Sequence, residues 1–234
     1  MRQRAFFGLA GFSLFTLLSL SACSGGGALR RFGPAGPEDV REALSAWTAA
    51  QQRADGLSAS RLLYDAKMGN SGLPSVPGTL AVTYEGSRVR SASLTGPFGS
   101  RIANYGDGMI TGDDRKAFVV DPVALRSVLA GVWRGAPDAP VVAGRDGADC
   151  LLTWSGGANA YRAEAVLDLQ ARQLRSLVLS GNGGRLTISY AGEFRPWPQR
   201  IALKEDSSGR SLSLSLIATE PLGSAPAASP SARP

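Results

Sequence analysis

The chain has 234 residues, 44% of them hydrophobic, and carries 25 Lys and Arg against 19 Asp and Glu. It contains no histidine, which removes the commonest general base, the usual Ser/His and Cys/His pairs and the best zinc ligand together. The net charge is +6, yet only Lys67, Lys116 and Lys204 are lysines and the arginines are scattered, so no basic stripe tracks a nucleic-acid backbone.

At the start, Met1-Arg2-Gln3-Arg4 precedes an apolar run from Ala5 to Leu20, followed by Ser21, Ala22 and Cys23. A basic beginning, an apolar middle and small residues before a cleavage point form the layout of an export signal. A membrane span is a poorer reading. Crossing takes about 20 strongly apolar residues, and Gly8, Gly11, Ser13, Thr16 and Ser19 interrupt the run. Leu20-Ser21-Ala22-Cys23 matches the bacterial lipobox, so residues 1–22 are expected to be removed and Cys23 to carry the lipid. Each buried methylene holds with about 0.8 kcal/mol, so two or three acyl chains anchor firmly. Ser24 stands where an inner-membrane retention signal would show Asp, which points to the outer membrane, with the protein facing the periplasm. Losing Arg2 and Arg4 leaves 23 basic residues against 19 acidic ones, a surplus compatible with lying near anionic lipid. Cys150 is then the one remaining thiol, which excludes an intramolecular disulfide and reads as a buried structural cysteine.

Residues 24 to 37 are rich in Gly and Pro and, with the lipidated Cys23, predict a flexible tether. From Glu38 to about Ala54, Val40, Leu44, Trp47 and Gln51 recur at helical spacing, with Glu38 and Asp39 in the first turn where the helix dipole favours them. One amphipathic helix is expected there. Beyond it the pattern is strand-like. Leu80, Val82 and Tyr84 share one face of a strand that reaches Gly86, and Arg88 to Leu94 returns as its hairpin partner. Further strands are predicted near 60–67, 100–106, 115–120, 148–155, 159–168, 173–180, 184–191, 199–206 and 209–218. Asn182-Gly183-Gly184 and Asp206-Ser207-Ser208-Gly209 read as turns between antiparallel neighbours. Asp121 and Pro122 open a short helix over 121–133, in which Leu125, Val128, Leu129 and Val132 recur. Residues 135–147 read as loop, and 221–234 as a disordered Pro/Ala/Ser tail. The fold class predicted is mostly β with α: a strongly curved antiparallel sheet, a half-open barrel of about eleven strands, covered by one long and one short helix. A single domain over 38–220 is long enough for one core.

Metal or acid/base chemistry finds little to stand on. Asp113 and Asp114 adjoin one another in a Thr-Gly-Asp-Asp turn, where neighbouring side chains diverge, and a solvated turn is the better reading than a dyad. The glycines at 156–157 and 181–184 join strand to strand and lack the helix N-terminus that a phosphate loop needs. No catalytic residue, no metal and no cofactor beyond the lipid on Cys23 are therefore expected. Trp133, Trp154 and Trp197, with Tyr161 and Tyr190, line an apolar cavity or simply fill a core. Between two strands, Leu94-Thr95-Gly96-Pro97-Phe98-Gly99-Ser100 sets a large aromatic at the tip of a turn. Either Phe98 folds back on the core, or it stands out to touch a membrane or an acyl chain.

Five features in order resemble the outer-membrane lipoprotein receptor family LolB and its periplasmic carrier relative LolA: the lipobox, the helix opening the mature domain, the turn 94–100, the segment LAGVWRGAP at 129–137, and the closing hairpin 196–216. The turn corresponds to the receptors' Leu-Thr-x-Pro-Leu-Gly-Ser, whose protruding leucine is needed to insert lipoproteins; here Phe98 takes that place, flanked by Pro97 and Gly99. The resemblance implies a monomeric half-open barrel that receives lipoprotein acyl chains, from a LolA-like periplasmic carrier, and passes them to the outer membrane without covalent chemistry. The lining expected on the concave face is Leu80, Val82, Tyr84, Trp133, Trp154, Leu186, Ile188 and Tyr190. An accessory lipoprotein that uses the same fold to bind a protein partner or another lipid is the alternative.

Overall fold

The computed structural model describes residues 32–71, 73–85, 88–112, 122–132, 142–155, 162–181 and 184–222. The lipobox, Asp113-Asp114, the strand expected at 115–120, Trp133, Tyr161 and the tail beyond Leu222 lie outside the described residues; Pro221, expected in the tail, closes the last strand instead. Among the described residues, thirteen strands form one antiparallel sheet: β1 (Gly33–Pro34), β2 (Ser60–Asn70), β3 (Leu73–Glu85), β4 (Arg88–Thr95), β5 (Arg101–Gly106), β6 (Met109–Gly112), β7 (Val142–Asp146), β8 (Asp149–Ser155), β9 (Arg162–Asp168), β10 (Gln173–Gly181), β11 (Gly184–Phe194), β12 (Pro198–Glu205) and β13 (Ser211–Pro221). In space the order is β1-β7-β8-β9-β10-β11-β12-β13-β2-β3-β4-β5-β6. Two meanders are thus joined where β13 pairs with β2, Leu214 opposite Ala66 and Leu216 opposite Tyr64. β1 and β6 lie at the two edges, and the sheet curves without closing. Bulges such as those between Thr83 and Tyr84, Leu94 and Thr95, and Leu216 and Ala218 add the local bend that such a sheet needs.

Among the described residues, two helices cover the concave face. α1 (Pro37–Asp55) starts on Pro, fixes the orphan amide of Gly36 with the Asp39 carboxylate at 2.8 Å, and ends at Gly56. Its buried stripe is Ala43, Ala46, Trp47, Ala50 and Ala54, whereas the sequence pattern pointed to Val40, Leu44, Trp47 and Gln51. Alanines carry little hydrophobic signal, but their small side chains let the helix lie close on β7 to β10. α2 (Pro122–Ala130) packs on β4 and β12. It stops in a Schellman turn: Gly131 N donates to Val128 O at 3.2 Å and Val132 N to Ser127 O at 3.2 Å, with Gly131 in the left-handed region.

Three strands depart from the sequence reading. Residues 142–146, expected as loop, form β7, where Gly144 is required because a Cβ there would meet Phe32 Cβ at 2.8 Å. β1 pairs Gly33 and Pro34 with Arg145 and Gly144, so the chain is held to the sheet before α1 begins. β6 is only four residues long and half of it is Gly or Thr, too short for alternation to register.

Candidate functional site

Alternation along the strands places one set of side chains inward. On β3, Leu80, Val82 and Tyr84 are buried; on β8, Trp154; on β11, Ile188, with Leu186 and Tyr190 packed at the margin of the same cluster. The structure therefore brings seven of the eight expected lining residues to one apolar face. The eighth, Trp133, lies outside the described residues. Trp154 meets Trp47 of α1 edge to face at 5.5 Å, and Tyr84 meets Trp197 in the same way at 4.8 Å. Such pairs add to the area term through the ring quadrupoles. Strand β2 contributes Leu62, Tyr64, Ala66 and Met68 to this face, and β4 and β5 add Leu94 and Ala103. These residues share that face and were not among those expected there, although the alternation from Ser60 to Met68 carried the signal.

The two halves of the face meet under the helix ends. Tyr190 donates its hydroxyl to Val128 O of α2 at 3.1 Å, and its ring lies 5.5 Å from Phe194. Arg53 of α1 stacks over the Phe194 ring at 5.2 Å and donates to Arg172 O at 3.1 Å. Burial pulls its guanidinium below the usual arginine range and pushes the phenols of Tyr64 and Tyr190 upward, so both tyrosines stay neutral. Burial, reinforced by the charge of Asp39, pushes the Cys150 thiol up to about 11, which leaves a protonated and poorly nucleophilic group. Among the described residues no three Cys, Asp or Glu gather where a metal could sit.

The second element of the site is the β4–β5 turn. Pro97, Phe98 and Gly99 form a single 3-10 turn. Gly96 N donates to Ser100 O at 2.7 Å and Gly99 N to Gly96 O at 3.3 Å, while the Ser100 hydroxyl donates to Pro97 O at 3.1 Å. Phe98 sits at φ 61°, ψ 23°, followed by Gly99 at φ 74°. Left-handed backbone costs an L side chain about 1–2 kcal/mol. The ring is nonetheless fully out in solvent, with a relative exposure of 108%. Of the two sequence readings for Phe98, folding back on the core is excluded. The tip is held by its own hydrogen bonds and presents one aromatic outward.

No family model matches the chain, and no curated protein matches it. Solved structures similar to it include a LolA superfamily protein from Nitrosomonas europaea, at 10% identity and TM-score 0.47 over 74% of this chain and 92% of that one. Another is a candidate outer-membrane lipoprotein-sorting protein domain from Vibrio parahaemolyticus, at 11% and 0.45 over 80% and 95%. A third is a DUF1329 family protein from Desulfovibrio piger, at 8% and 0.46 over 80% and 95%.

Proposed function

We propose that this chain is a lipid-anchored outer-membrane protein that takes the acyl chains of other lipoproteins onto its concave apolar face and helps insert them into the membrane through Phe98. The observation that carries the reading is Phe98 itself: a large aromatic kept fully exposed at a positive φ, where both solvation and backbone geometry oppose it. Cys23 and its lipid hold the domain at the bilayer surface, and the chain before β1 sets how far the tip reaches.

The driving force is the same on both sides of the transfer. Acyl methylenes leave water for the concave face or for the bilayer with similar gain per unit area, so the exchange runs near balance and needs no covalent step and no cofactor. Because Leu80, Val82, Tyr84 and Trp154 are covered in the resting structure, an entering chain displaces α2 from β4 and β12. A LolA-like carrier is the donor in this scheme.

The test is lipoprotein delivery in cells that depend on this protein. F98E places a charge on the tip without touching the core, and delivery is expected to fall at least tenfold with protein level and anchoring unchanged. Intact delivery by F98E, together with no lipid in organic extracts of the purified protein, overturns the reading in favour of a protein-binding accessory lipoprotein.

A further inference from the structure

Tyr64 is buried to 0% exposure in the middle of β2, and its hydroxyl has no hydrogen-bond partner among the described residues. Leaving such a group unpaired in the interior is costly, so a buried orphan hydroxyl asks for a complement. Leu62, Tyr64, Ala66 and Met68 alternate as the buried residues of β2, which points Tyr64 into the concave face. Its row runs Tyr64, Leu80, Leu94, Ala103 across β2, β3, β4 and β5. Leu94 is the inward residue just before the turn that carries Phe98, so Tyr64 lies two strand spacings, about 10 Å, from the base of that turn.

Elsewhere in the core the orphan side-chain atoms are mostly donors. The other buried side-chain atoms without a partner among the described residues are Trp47 Nε1, Arg53 Nη2 and Arg126 Nε, all N–H donors. The one acceptor among the buried atoms, on Asp149, faces Arg175 Nε at 3.0 Å. Tyr190 commits its own proton to Val128 O. A ligand that fits here brings an acceptor oxygen on an otherwise apolar body.

We infer that Tyr64 is the polar anchor of the acyl-chain site, donating its hydroxyl to the carbonyl or carboxylate oxygen at the head of a chain that lies along the concave face from the Phe98 turn inward. The inference rests on the lipid-binding reading and adds the group that orients the chain, head toward the Phe98 turn and tail toward the aromatic interior. An ester-linked acyl chain and a free fatty acid share the acceptor chemistry.

The test uses the full chain carrying C23A, which leaves the thioether anchor unmade, in wild-type and Y64F forms. Dodecane, methyl dodecanoate and dodecanoate are titrated by tryptophan fluorescence. Wild type is expected to hold at least one oxygen-bearing chain about five- to tenfold more tightly than dodecane, in line with one net hydrogen bond, and Y64F to lose that preference while binding dodecane unchanged. Preference for the ester identifies ester-linked lipid as the natural source, and preference for the carboxylate identifies free fatty acid. Without ligand, Y64F is expected to melt no lower than wild type, because it removes an unpaired group. A wild type without oxygen preference, a Y64F that weakens all three chains alike, or a Y64F that melts lower overturns the Tyr64 anchor and leaves the lipid-binding reading standing. A wild type that binds none of the three overturns both.

Discussion

Phe98 combines two features that folding alone does not reward. Its ring gains nothing from burial, and its backbone lies where glycine is the comfortable residue. Replacing it by glycine removes the left-handed cost of about 1–2 kcal/mol against glycine's greater freedom in the unfolded chain, about 0.5–1 kcal/mol. F98G is therefore expected to be more stable than wild type by about 0.5–1 kcal/mol in urea unfolding, while losing transfer activity. A drop in stability would mean that the ring packs on something in the resting protein. At this scale the sequence was informative: Pro97 and Gly99 around an aromatic marked the turn, because those residue types have few other uses between two strands. Whether the ring turned in or out was not legible, since that depends on neighbours distant in the chain. Tyr64 was illegible as a site for a related reason. A tyrosine at an inward strand position looks like core until the partners of its hydroxyl are known.

Helix α1 is held at its start by charge and along its length by alanine. Asp39 accepts from Gly36 N and pairs with Arg145, which also reaches Glu42 at 3.1 Å. The Arg145 hydrogen bond, then the Gly36 amide, hold the Asp39 carboxyl below its usual 3.8. A carboxyl depressed in the folded state contributes stability above its unfolded value and loses it as pH falls through the folded one. The stability difference between wild type and D39N should therefore be full above about pH 5 and shrink toward zero as the pH drops below 3.8. Denaturant midpoints at a series of pH values read this directly, and a difference that is constant down to the acid limit would show that Asp39 acts only through packing. The helix's existence was legible from its acidic first turn and periodicity, and so were Trp47 and Leu44 on its inward side, but the alanines of its buried stripe were not. Ala43, Ala46, Ala50 and Ala54 are scarcely apolar by composition, and they face inward because the helix must approach β7 to β10 closely. Strand β7 escaped notice for the opposite reason: Gly144 reads as a loop residue, yet it admits Phe32 against the strand.

At the scale of the molecule, the meander β2 to β6 stands in the second half of the sheet's spatial order although it precedes β7 to β13 in the chain, because β13 docks on β2. Periodicity foresaw a strongly curved antiparallel sheet with one long and one short helix, and that is the architecture found. It could not foresee the β13–β2 junction, which is a pairing between residues some 150 positions apart and leaves no local mark in composition. The order has a functional consequence. The segment carrying α2 links edge strand β6 to β7, at the opposite end of the sheet, so α2 lies over the concave face with modest seats on β4 and β12. No helix among the described residues is long and apolar enough to cross a membrane. Entry of a chain beneath α2 would bring it against Trp47, Trp154 and Trp197, whose rings line the interior. The most direct measurement is therefore quenching of tryptophan fluorescence by acyl chains brominated near their ends, with the full chain carrying C23A. Binding on the concave face predicts saturable quenching that an unbrominated chain of equal length displaces; chains that bind without quenching, or do not bind at all, would contradict it.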